Sequence, residues 1–298
     1  MNLPEALRTA LETRMNTRLK AVRPVSGGDI NQAAQVSLRD DVYFLKWNPQ
    51  SIPGMFAAEA RGLTQLAQAN AVRIPQVILL GDAQDEAPDF LLLEYIPAVR
   101  PRDRKAFSQR LGEGVAALHQ HSAAQHGLDH DNFIGSLPQS NAYTEAWPKF
   151  YREQRIRPQM DIAQARGRLP AARRALLEAL CERLTEWVPP ATPALLHGDL
   201  WSGNYMATEH DEPVLYDPAV YYGHHEVEIA FTELFGGFSQ EFYAAYEAVM
   251  PLDDGYAQRK ALYQLYPLMV HMNLFGGGYA GQVDAIARQY TQAPDNSL

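Results

Sequence analysis

A short polar loop in the second half of the chain carries three oxygen-bearing side chains at a defined spacing. Asp199 lies early in this loop, Asn204 follows five residues later, and Asp217 comes thirteen residues after Asn204. Phosphoryl transfer needs a carboxylate that orients and deprotonates a hydroxyl, together with hard oxygen ligands for Mg²⁺. The residue types and their order therefore predict Asp199 as a catalytic base, with Asn204 and Asp217 as ligands of Mg²⁺.

The pattern around Asp199 also matches the catalytic loop of kinases, in which an Asp is followed by four residues and an Asn. Gly198 stands where that loop has Arg, and Asp217-Pro218-Ala219 stands where kinases have Asp-Phe-Gly. Gly, Asp and Asn also favour ordinary turns, so a structural loop is the alternative for this segment. The presence of Asn204 and Asp217 downstream favours the catalytic interpretation.

A lysine in an apolar strand supplies the cation that this chemistry needs. Lys46 lies within Val42 to Trp47, where a charged side chain is unusual unless it has a partner. Glu59 follows in a predicted helix, an arrangement that lets a lysine reach the α- and β-phosphates of ATP. The alternative is a solvent-facing Lys46 on a half-exposed strand, with Arg61 as a surface partner of Glu59.

A glycine pair and an apolar strand complete the predicted ATP site. Gly27, Gly28 and Asn31 precede Lys46 in a turn where backbone N–H groups can approach phosphate oxygens without a Cβ clash. A plain hairpin turn is the alternative for this segment. The strand over Leu91 to Leu93 leads into a predicted hinge, whose backbone groups pair with adenine, at Glu94, Tyr95 and Ile96.

The elements that must position these residues change character near residue 96. Apolar residues spaced by four predict a helix over residues 3–20, and the composition of residues 54–71 predicts a second helix. Apolar runs bounded by turn residues predict strands over 32–38, 42–47, 77–80 and 90–95. Residues 1–96 are thus predicted to form a small antiparallel-sheet lobe with one main helix.

Residues 97–298 are predicted to form a larger helical lobe. Residues 122–142 are predicted as a long ordered loop, and short apolar runs flank the loop of Asp199. Helices are predicted over residues 104–121, 143–165, 170–187, 226–236, 239–249, 255–275 and 281–291. The whole is an α+β chain with two lobes, and polar residues near their junction indicate a cleft enzyme.

Composition limits the other function classes. The chain has 298 residues, with 35 acidic and 26 basic side chains and a net charge of −9. A chain without a basic block is a poor nucleic-acid binder. No run approaches the ~18 apolar residues of a membrane span, and without an apolar stretch near Met1 we expect no secretory signal. We expect a soluble cytoplasmic protein, with a monomer favoured and with access to ATP and Mg²⁺.

Several sequence blocks resemble the fructosamine kinase (ketosamine-3-kinase) family. Trp201 is the specific part, because aminoglycoside and choline kinases share His-Gly-Asp but usually lack Leu-Trp-Ser-Gly-Asn followed by Asp-Pro-Ala. The blocks extend from about residue 20 to 292 and include residues 27–31, 131–135, 197–204, 217–224, 226–238 and 271–276. The resemblance implies a protein-kinase-like fold and an ATP-dependent enzyme that phosphorylates the 3-hydroxyl of a sugar ketoamine, in the repair of glycated amines.

The family likeness also implies roles for individual residues. Asp199 matches the catalytic base of the family. Metal binding is implied for Asn204 and Asp217, and phosphate binding for Lys46 with Glu59. Trp201 is predicted as a wall of the sugar pocket, with core packing beneath the loop as the alternative. His271 and Asn273 are predicted to line the same pocket from the last long helix, although a core histidine is an alternative for His271. The acceptor is either a small ketosamine or a glycated lysine.

Two other functions remain open at this point. A kinase of another small hydroxyl compound, such as an aminoglycoside, would use extra acids at the acceptor site, for which the chain offers Asp161, Glu226, Glu228 and Glu233. A nucleotide-binding pseudokinase would be expected to lack one of the residues that hold the phosphates, the base or the metal, and this chain retains all of them. His224 and His225 beside Glu226 are predicted as a solvated loop, because no third metal ligand has a fixed spacing.

Overall fold

The N-terminal part of the chain is built on a five-stranded antiparallel sheet with the strand order β1-β2-β3-β5-β4. The computed structural model describes residues 3–25, 31–50, 52–81 and 87–291. The strands are β1 (Leu19–Pro24), β2 (Gln32–Leu38), β3 (Asp41–Asn48), β4 (Val77–Gly81) and β5 (Asp89–Glu94). Helices α1 (Glu5–Arg14) and α2 (Met55–Gln68) pack against this sheet.

The alternation of side chains along β3 places its lysine on the inner face of the sheet. Leu45 and Trp47 are fully buried in the cluster that includes Leu7 and Leu11 of α1. Because successive side chains of a strand point to opposite faces, Lys46 points to the other face, on which α2 packs. Each fully buried leucine of this cluster contributes about 1.5–3 kcal/mol of burial free energy. The α1 cluster therefore fixes the orientation of Lys46.

Helix α1 is shorter than the helix predicted over residues 3–20. It ends at Arg14, and residues 19–24 form the edge strand β1 instead. Asn16 adopts a left-handed conformation with φ 47°, and the Thr17 N–H donates to the Glu12 carbonyl at 3.0 Å. This arrangement is a Schellman motif, which ends helices where Gly or Asn follows the last turn. The regular spacing of apolar residues continued across the boundary because Leu19 packs in the same cluster from a strand.

The rest of the chain is mainly helical and buries the largest apolar cluster of the described residues. The predicted helices are confirmed, with small shifts at their ends. They are α3 (Arg104–His119), α4 (Trp147–Phe150), α5 (Arg157–Ala165), α6 (Ala171–Trp187), α7 (His225–Leu234), α8 (Gln240–Val249), α9 (Tyr256–Phe275) and α10 (Tyr279–Thr291). Helices α4 and α5 are joined by a π-helical turn, Tyr151–Ile156.

A hairpin interrupts the segment 122–142, which was predicted as loop alone. Its strands are β6 (Asn132–Ile134) and β7 (Leu137–Gln139). The fully buried Arg155 of the π-helical turn supports the end of this hairpin, because its guanidinium donates to the carbonyl of Ser140 at 2.6 Å. The same guanidinium lies 3.9 Å from the ring centre of Tyr221, within cation–π range. The hairpin is thereby fixed to the body of the helical lobe.

Two short ladders hold the predicted catalytic segment. Strand β8 (Ala194–Leu196) pairs with β11 (Tyr221–Gly223), and β9 (Tyr205–Ala207) pairs with β10 (Pro213–Leu215). The loop of Asp199 therefore connects β8 to β9, and Asp217 lies between β10 and β11. The α+β architecture with a small sheet lobe and a larger helical lobe is confirmed. Among the described residues, no helix is both long enough and apolar enough to cross a membrane.

Candidate active site

The loop after β8 is tied to the segment after β10 through His197. This side chain is fully buried, and burial lowers its pKa, so the ring is neutral near pH 7. Its Nε2 donates to the carbonyl of Tyr216 at 2.9 Å, which leaves Nδ1 as an acceptor for the Asp199 N–H at 3.3 Å. The backbone N–H of Ala219 in turn donates to the His197 carbonyl at 2.9 Å. One histidine thus positions both the predicted base and the segment that carries Asp217.

Gly198 allows a close approach of two backbone segments. Its φ is +85°, a conformation that disfavours residues with a Cβ atom. A Cβ atom at this position would lie 2.0 Å from the carbonyl oxygen of Ala219, closer than any packed atoms can approach. The glycine between His197 and Asp199 is therefore required by the shape of the loop.

The predicted base Asp199 is held by Asn204. The Asn204 side-chain N–H₂ donates to the carbonyl of Asp199 at 2.8 Å and to its Oδ2 at 3.0 Å. Burial raises the pKa of Asp199 to about 7, the Asn204 bond opposes that shift, and the negative charges of Asp217 and Glu228 add to it. A carboxylate with a pKa near neutrality is suited to accept a proton from a hydroxyl.

A group of three charged residues joins the two lobes. Lys46 from β3 lies 2.8 Å from Glu59 of α2 and 2.7 Å from Asp217. Burial alone would lower the pKa of Lys46, but the two carboxylates raise it above its usual value, so the lysine stays protonated. The sequence prediction that Lys46 and Glu59 form a pair thus agrees with the geometry, and Asp217 is added to the pair from the helical lobe.

The donor set around Asp217 fits a Mg²⁺ ion. Asn204 uses its N–H₂ group on Asp199, so its amide oxygen remains for a metal, and Lys46 engages only one oxygen of Asp217. Both groups are hard oxygen ligands of the kind that Mg²⁺ prefers, in addition to water and phosphate oxygens. Asp217 also has a left-handed backbone with φ 56°, a strained conformation of the kind that clusters at functional sites.

Glu228 of α7 holds the backbone of the loop after β8, a role that the sequence pattern did not indicate. Its buried carboxylate accepts the Gly198 N–H at 2.6 Å and the His197 N–H at 2.9 Å. Burial opposes ionisation, but the bond from His119 at 2.9 Å and the backbone N–H of Gly198 lower the pKa of Glu228 on balance. Glu228 is therefore a buried anion that fixes the backbone next to Asp199.

The support of Glu228 extends further into the helical lobe. His119 donates to Glu228 through Nε2, so its Nδ1 accepts the hydroxyl of Tyr246 at 2.7 Å when the ring is neutral. The oxygen of Tyr246 then accepts from His225 Nδ1 at 2.9 Å. Every donor in this series of hydrogen bonds has an acceptor, and the series links α3, α7 and α8 behind the catalytic loop.

Residues of both lobes line one open cleft of about 580 Å³. The predicted phosphate anchors Lys46 and Glu59 line this cleft, and so do the predicted base and metal ligands. Trp201 and His271 line the same cleft, and Trp201 is 41% exposed rather than packed in the core; their contact with a sugar stays a prediction. Asn31 also lines the cleft and accepts a hydrogen bond from Asn48 at 3.1 Å.

The structure does not bring Asn273 to the cleft. Its side chain is fully buried and donates to the carbonyl and the side-chain oxygen of Gln159, each at 2.9 Å. The predicted contact of Asn273 with substrate is corrected accordingly, and its role is to join α9 to α5.

The remaining predicted contacts with ATP stay predictions. Gly27 and Gly28 lie outside the described residues. Glu94 ends β5 and bonds to Arg73 at 2.6 Å, so its side chain is already engaged at the junction of the lobes. Tyr95 and Ile96 follow Glu94, and neither lines the cleft. Pairing of adenine with backbone groups of this segment stays a prediction.

The region of His224 and His225 is not the solvated loop that the sequence indicated. Both rings are buried, and their nitrogens lie within 4.8 Å of carboxylate oxygens of Glu226 and Asp253. Glu226 accepts two bonds from the guanidinium of Arg259, at 2.6 and 2.5 Å. A guanidinium on this carboxylate occupies the place that a cation would take, and the cluster is a structural polar network.

Two sequence comparisons and one structural comparison relate this chain to known proteins. The sequence profile described as fructosamine kinase matches residues 5–293. A relative from Enterococcus faecium, named probable ketoamine kinase, is 39% identical over 271 residues, which cover 90% of this chain and 95% of the relative. A crystal structure from Haemophilus somnus, provisionally named a fructosamine-3-kinase, superposes with a TM-score of 0.85 at 29% identity and covers 97% of each chain.

A more distant structure shares the architecture alone. An aminoglycoside phosphotransferase superposes with a TM-score of 0.61 at 17% identity, covering 94% of this chain and 98% of that chain. At this identity the likeness shows the protein-kinase-like fold that the sequence analysis expected, and no more.

Proposed function

This chain belongs to the fructosamine kinase family, and we propose that it transfers the γ-phosphate of ATP to the 3-hydroxyl of ketosamines. Its substrates in this proposal are fructosamine or ribulosamine adducts, either free or on protein lysines. One observation supports the proposal above all: the half-buried Asp199, with its pKa near neutrality, shares a cleft with the charged group of Lys46, Glu59 and Asp217.

The proposed reaction divides between two sides of the cleft. The protonated Lys46, held by Glu59, binds oxygens of the α- and β-phosphates, and Asn204 and Asp217 offer their free oxygens to Mg²⁺. When bound, Mg²⁺ neutralises the charge that develops on the phosphates. Asp199 accepts the proton of the sugar hydroxyl while the hydroxyl oxygen bonds to the γ-phosphorus. The bond between the γ-phosphorus and the bridging oxygen breaks, and ADP departs with its electrons.

Trp201 and His271 are proposed to bind the sugar portion. The Nδ1 of His271 donates to the carbonyl of Pro267 at 2.8 Å, and burial lowers the pKa of this ring, so its Nε2 carries a lone pair. A neutral Nε2 can accept a hydrogen bond from a sugar hydroxyl or from the amine nitrogen. The exposed face of Trp201 offers an apolar surface to the C–H groups of the sugar.

The alternative of an aminoglycoside-like acceptor lacks support in the cleft. Glu226 is paired with Arg259, Glu228 holds the catalytic loop, and Glu233 binds Lys260 at 2.6 Å. The fourth acid offered by the sequence, Asp161, does not line the cleft. The described carboxylates that line the cleft are Glu59, Asp199 and Asp217. Each of these three has a role in phosphate binding, proton transfer or metal binding, so no acid is left to pair with a polycationic acceptor.

The experiment is a steady-state assay of ADP release with purified protein, ATP and Mg²⁺. The panel contains fructosamines and ribulosamines of one small amine, and an aminoglycoside. We expect turnover with at least one ketosamine, with phosphorus NMR placing the phosphate on the 3-oxygen. Turnover with the aminoglycoside and with none of the ketosamines would refute the proposal.

A further inference from the structure

Four aromatic rings gather at one wall of the cleft, and we call this group the aromatic rim. It consists of Phe235 after α7, His271 and Phe275 of α9, and Tyr279 of α10. The ring of His271 is central, with centroid distances of 4.7 Å to Phe235, 5.6 Å to Phe275 and 5.2 Å to Tyr279. All four side chains line the cleft. Because the rings come from three helical segments, they form a preformed surface rather than one exposed side chain.

Exposure of the rim is unusual for side chains of this size. Among the described residues, eight large hydrophobic side chains are exposed, and four of these eight line the cleft, namely Phe235 and Phe275 of the rim together with Val25 and Trp201. Phe275 is 56% exposed and Phe235 is 39% exposed. Single exposed apolar side chains need no explanation, but their concentration at a cleft indicates a ligand surface.

The rim begins next to the proposed reaction centre. His271 and Val270 line both the cleft and a small cavity of about 30 Å³ that Asp199 also borders. A ketosamine whose 3-hydroxyl meets Asp199 has its amine nitrogen only a few bonds from the reacting oxygen. The substituent on that nitrogen, here called the amine carrier, must therefore leave the reaction centre close to this wall.

The charges of the cleft limit which carrier the rim can bind. The described carboxylates that line the cleft are Glu59 and Asp217, which pair with Lys46, and Asp199 at the proposed reaction centre. Aromatic faces attract one ammonium group and bury apolar surface, but they do not balance several positive charges. His271, which is neutral near pH 7, adds a single acceptor and no negative charge.

We propose, on the basis of the proposed function, that the aromatic rim binds the amine carrier of the ketosamine and selects aromatic or apolar carriers. The ammonium at the attachment point meets the ring faces, and the apolar part of the carrier covers Phe235 and Phe275. A carrier with further positive charges gains no partner at this wall. The preferred substrates are therefore ketosamines of hydrophobic amines rather than those of polyamines.

The test compares ketosamines that share one sugar and differ only in the carrier. Ketosamines of benzylamine, methylamine and a linear polyamine are assayed for kcat/KM at saturating ATP. We expect about tenfold higher kcat/KM for the benzylamine derivative than for the methylamine derivative, an effect typical of added apolar contact in a pocket. The polyamine derivative is expected to be no better than the methylamine derivative.

A double variant, Phe235→Ser with Phe275→Ser, tests the assignment to these rings. We expect the benzylamine-to-methylamine ratio of kcat/KM to fall from about ten to near one. Tyr143→Ser is the matched control, because Tyr143 is 50% exposed and does not line the cleft. Thermal unfolding and the KM for ATP report whether each variant is folded.

The outcomes separate this inference from the proposed function. Equal kcat/KM for all three ketosamines, or a ratio that survives the double variant, would overturn the inference and leave the ketosamine kinase activity in place. A polyamine derivative that is the best substrate would also overturn it. Failure of every ketosamine to be phosphorylated would refute the proposed function and this inference together.

Discussion

Changing Glu228 to Gln removes the buried negative charge that holds the catalytic loop while keeping the shape of the side chain. Glu228 Oε2 accepts two donors, the His197 N–H and His119 Nε2, whereas Oε1 accepts the Gly198 N–H alone at 2.6 Å. The amide oxygen of a glutamine is best placed at the position with two donors. Its N–H₂ group then faces the N–H of Gly198, and two donors oppose each other beside Asp199.

The size of the effect follows from these three bonds. A hydrogen bond to a charged group contributes about 1.5–3 kcal/mol and a neutral one about 0.5–1.5 kcal/mol. Glu228→Gln loses the bond to Gly198 and weakens the other two, while it removes the cost of burying a charge. We expect the free energy of unfolding to fall by about 2–4 kcal/mol. Because the same loop positions Asp199, we expect kcat to fall about 100-fold, or about 2.7 kcal/mol of activation free energy.

The assay is steady-state kinetics with a ketosamine substrate, combined with urea unfolding. Glu233→Gln is the matched control on the same helix, because Glu233 pairs with Lys260 and does not contact the loop. We expect this control to change kcat less than about twofold, as for other partly exposed ion pairs. Removing the charge of Glu228 also lowers the pKa of Asp199, so the acidic limb of the kcat profile should move to lower pH. A Glu228→Gln enzyme with the kcat of the control would show that Glu228 does not position the loop.

Three further changes test other parts of the site and its support. Asp199→Asn should lower kcat by several orders of magnitude with little change in the KM for ATP, because only the proton acceptor is lost; retained turnover in the same assay would exclude Asp199 as the base. Gly198→Ala should lower both kcat and the melting temperature, because its Cβ would meet the Ala219 carbonyl at 2.0 Å; wild-type values for both would contradict the loop geometry. Burial lowers the pKa of His126 to about 4, so below pH 6.5 the unfolded chain binds a proton that the folded chain does not, and stability falls as the pH falls. The free energy of unfolding of His126→Phe, measured with urea, should therefore rise relative to wild type by about 2 kcal/mol when the pH is lowered from 7.5 to 5. An equal pH dependence in both proteins would contradict this.

Residues that act through their neighbours in sequence were predictable, and those that act across the fold were not. The spacing of Asp199, Asn204 and Asp217 is local, and a lysine in an apolar strand is unusual unless it has a partner. Glu228 lies 30 residues from Gly198, and its other partner, His119, is 109 residues away. An acid on a helix has the same pattern in sequence whether it is buried or exposed, so it was counted among possible acceptor-site acids.

The error at Asn273 has a different physical origin. Helix α9 is buried on most sides, with 11 of its 20 residues buried, so it has no single apolar stripe that would indicate which face meets the cleft. His271 turns toward the cleft, whereas Asn273, two residues further along, turns toward Gln159 of α5. At 3.6 residues per turn, positions two apart lie on nearly opposite faces of a helix. Only the packing of neighbouring helices decides between them.

Gly198, which stands where the kinase catalytic loop has arginine, and the buried Glu228 depend on each other structurally. With φ at +85° and no Cβ atom, Gly198 lets its segment approach the carbonyl of Ala219 while its N–H reaches Glu228 at 2.6 Å. A larger side chain would separate these segments, and the carboxylate would then be buried with one donor fewer. The cost of burying Glu228 is offset only if the loop adopts the conformation that glycine permits. The position of the base Asp199 is therefore set by a backbone contact and a buried anion acting together, and changing either one should disturb the other.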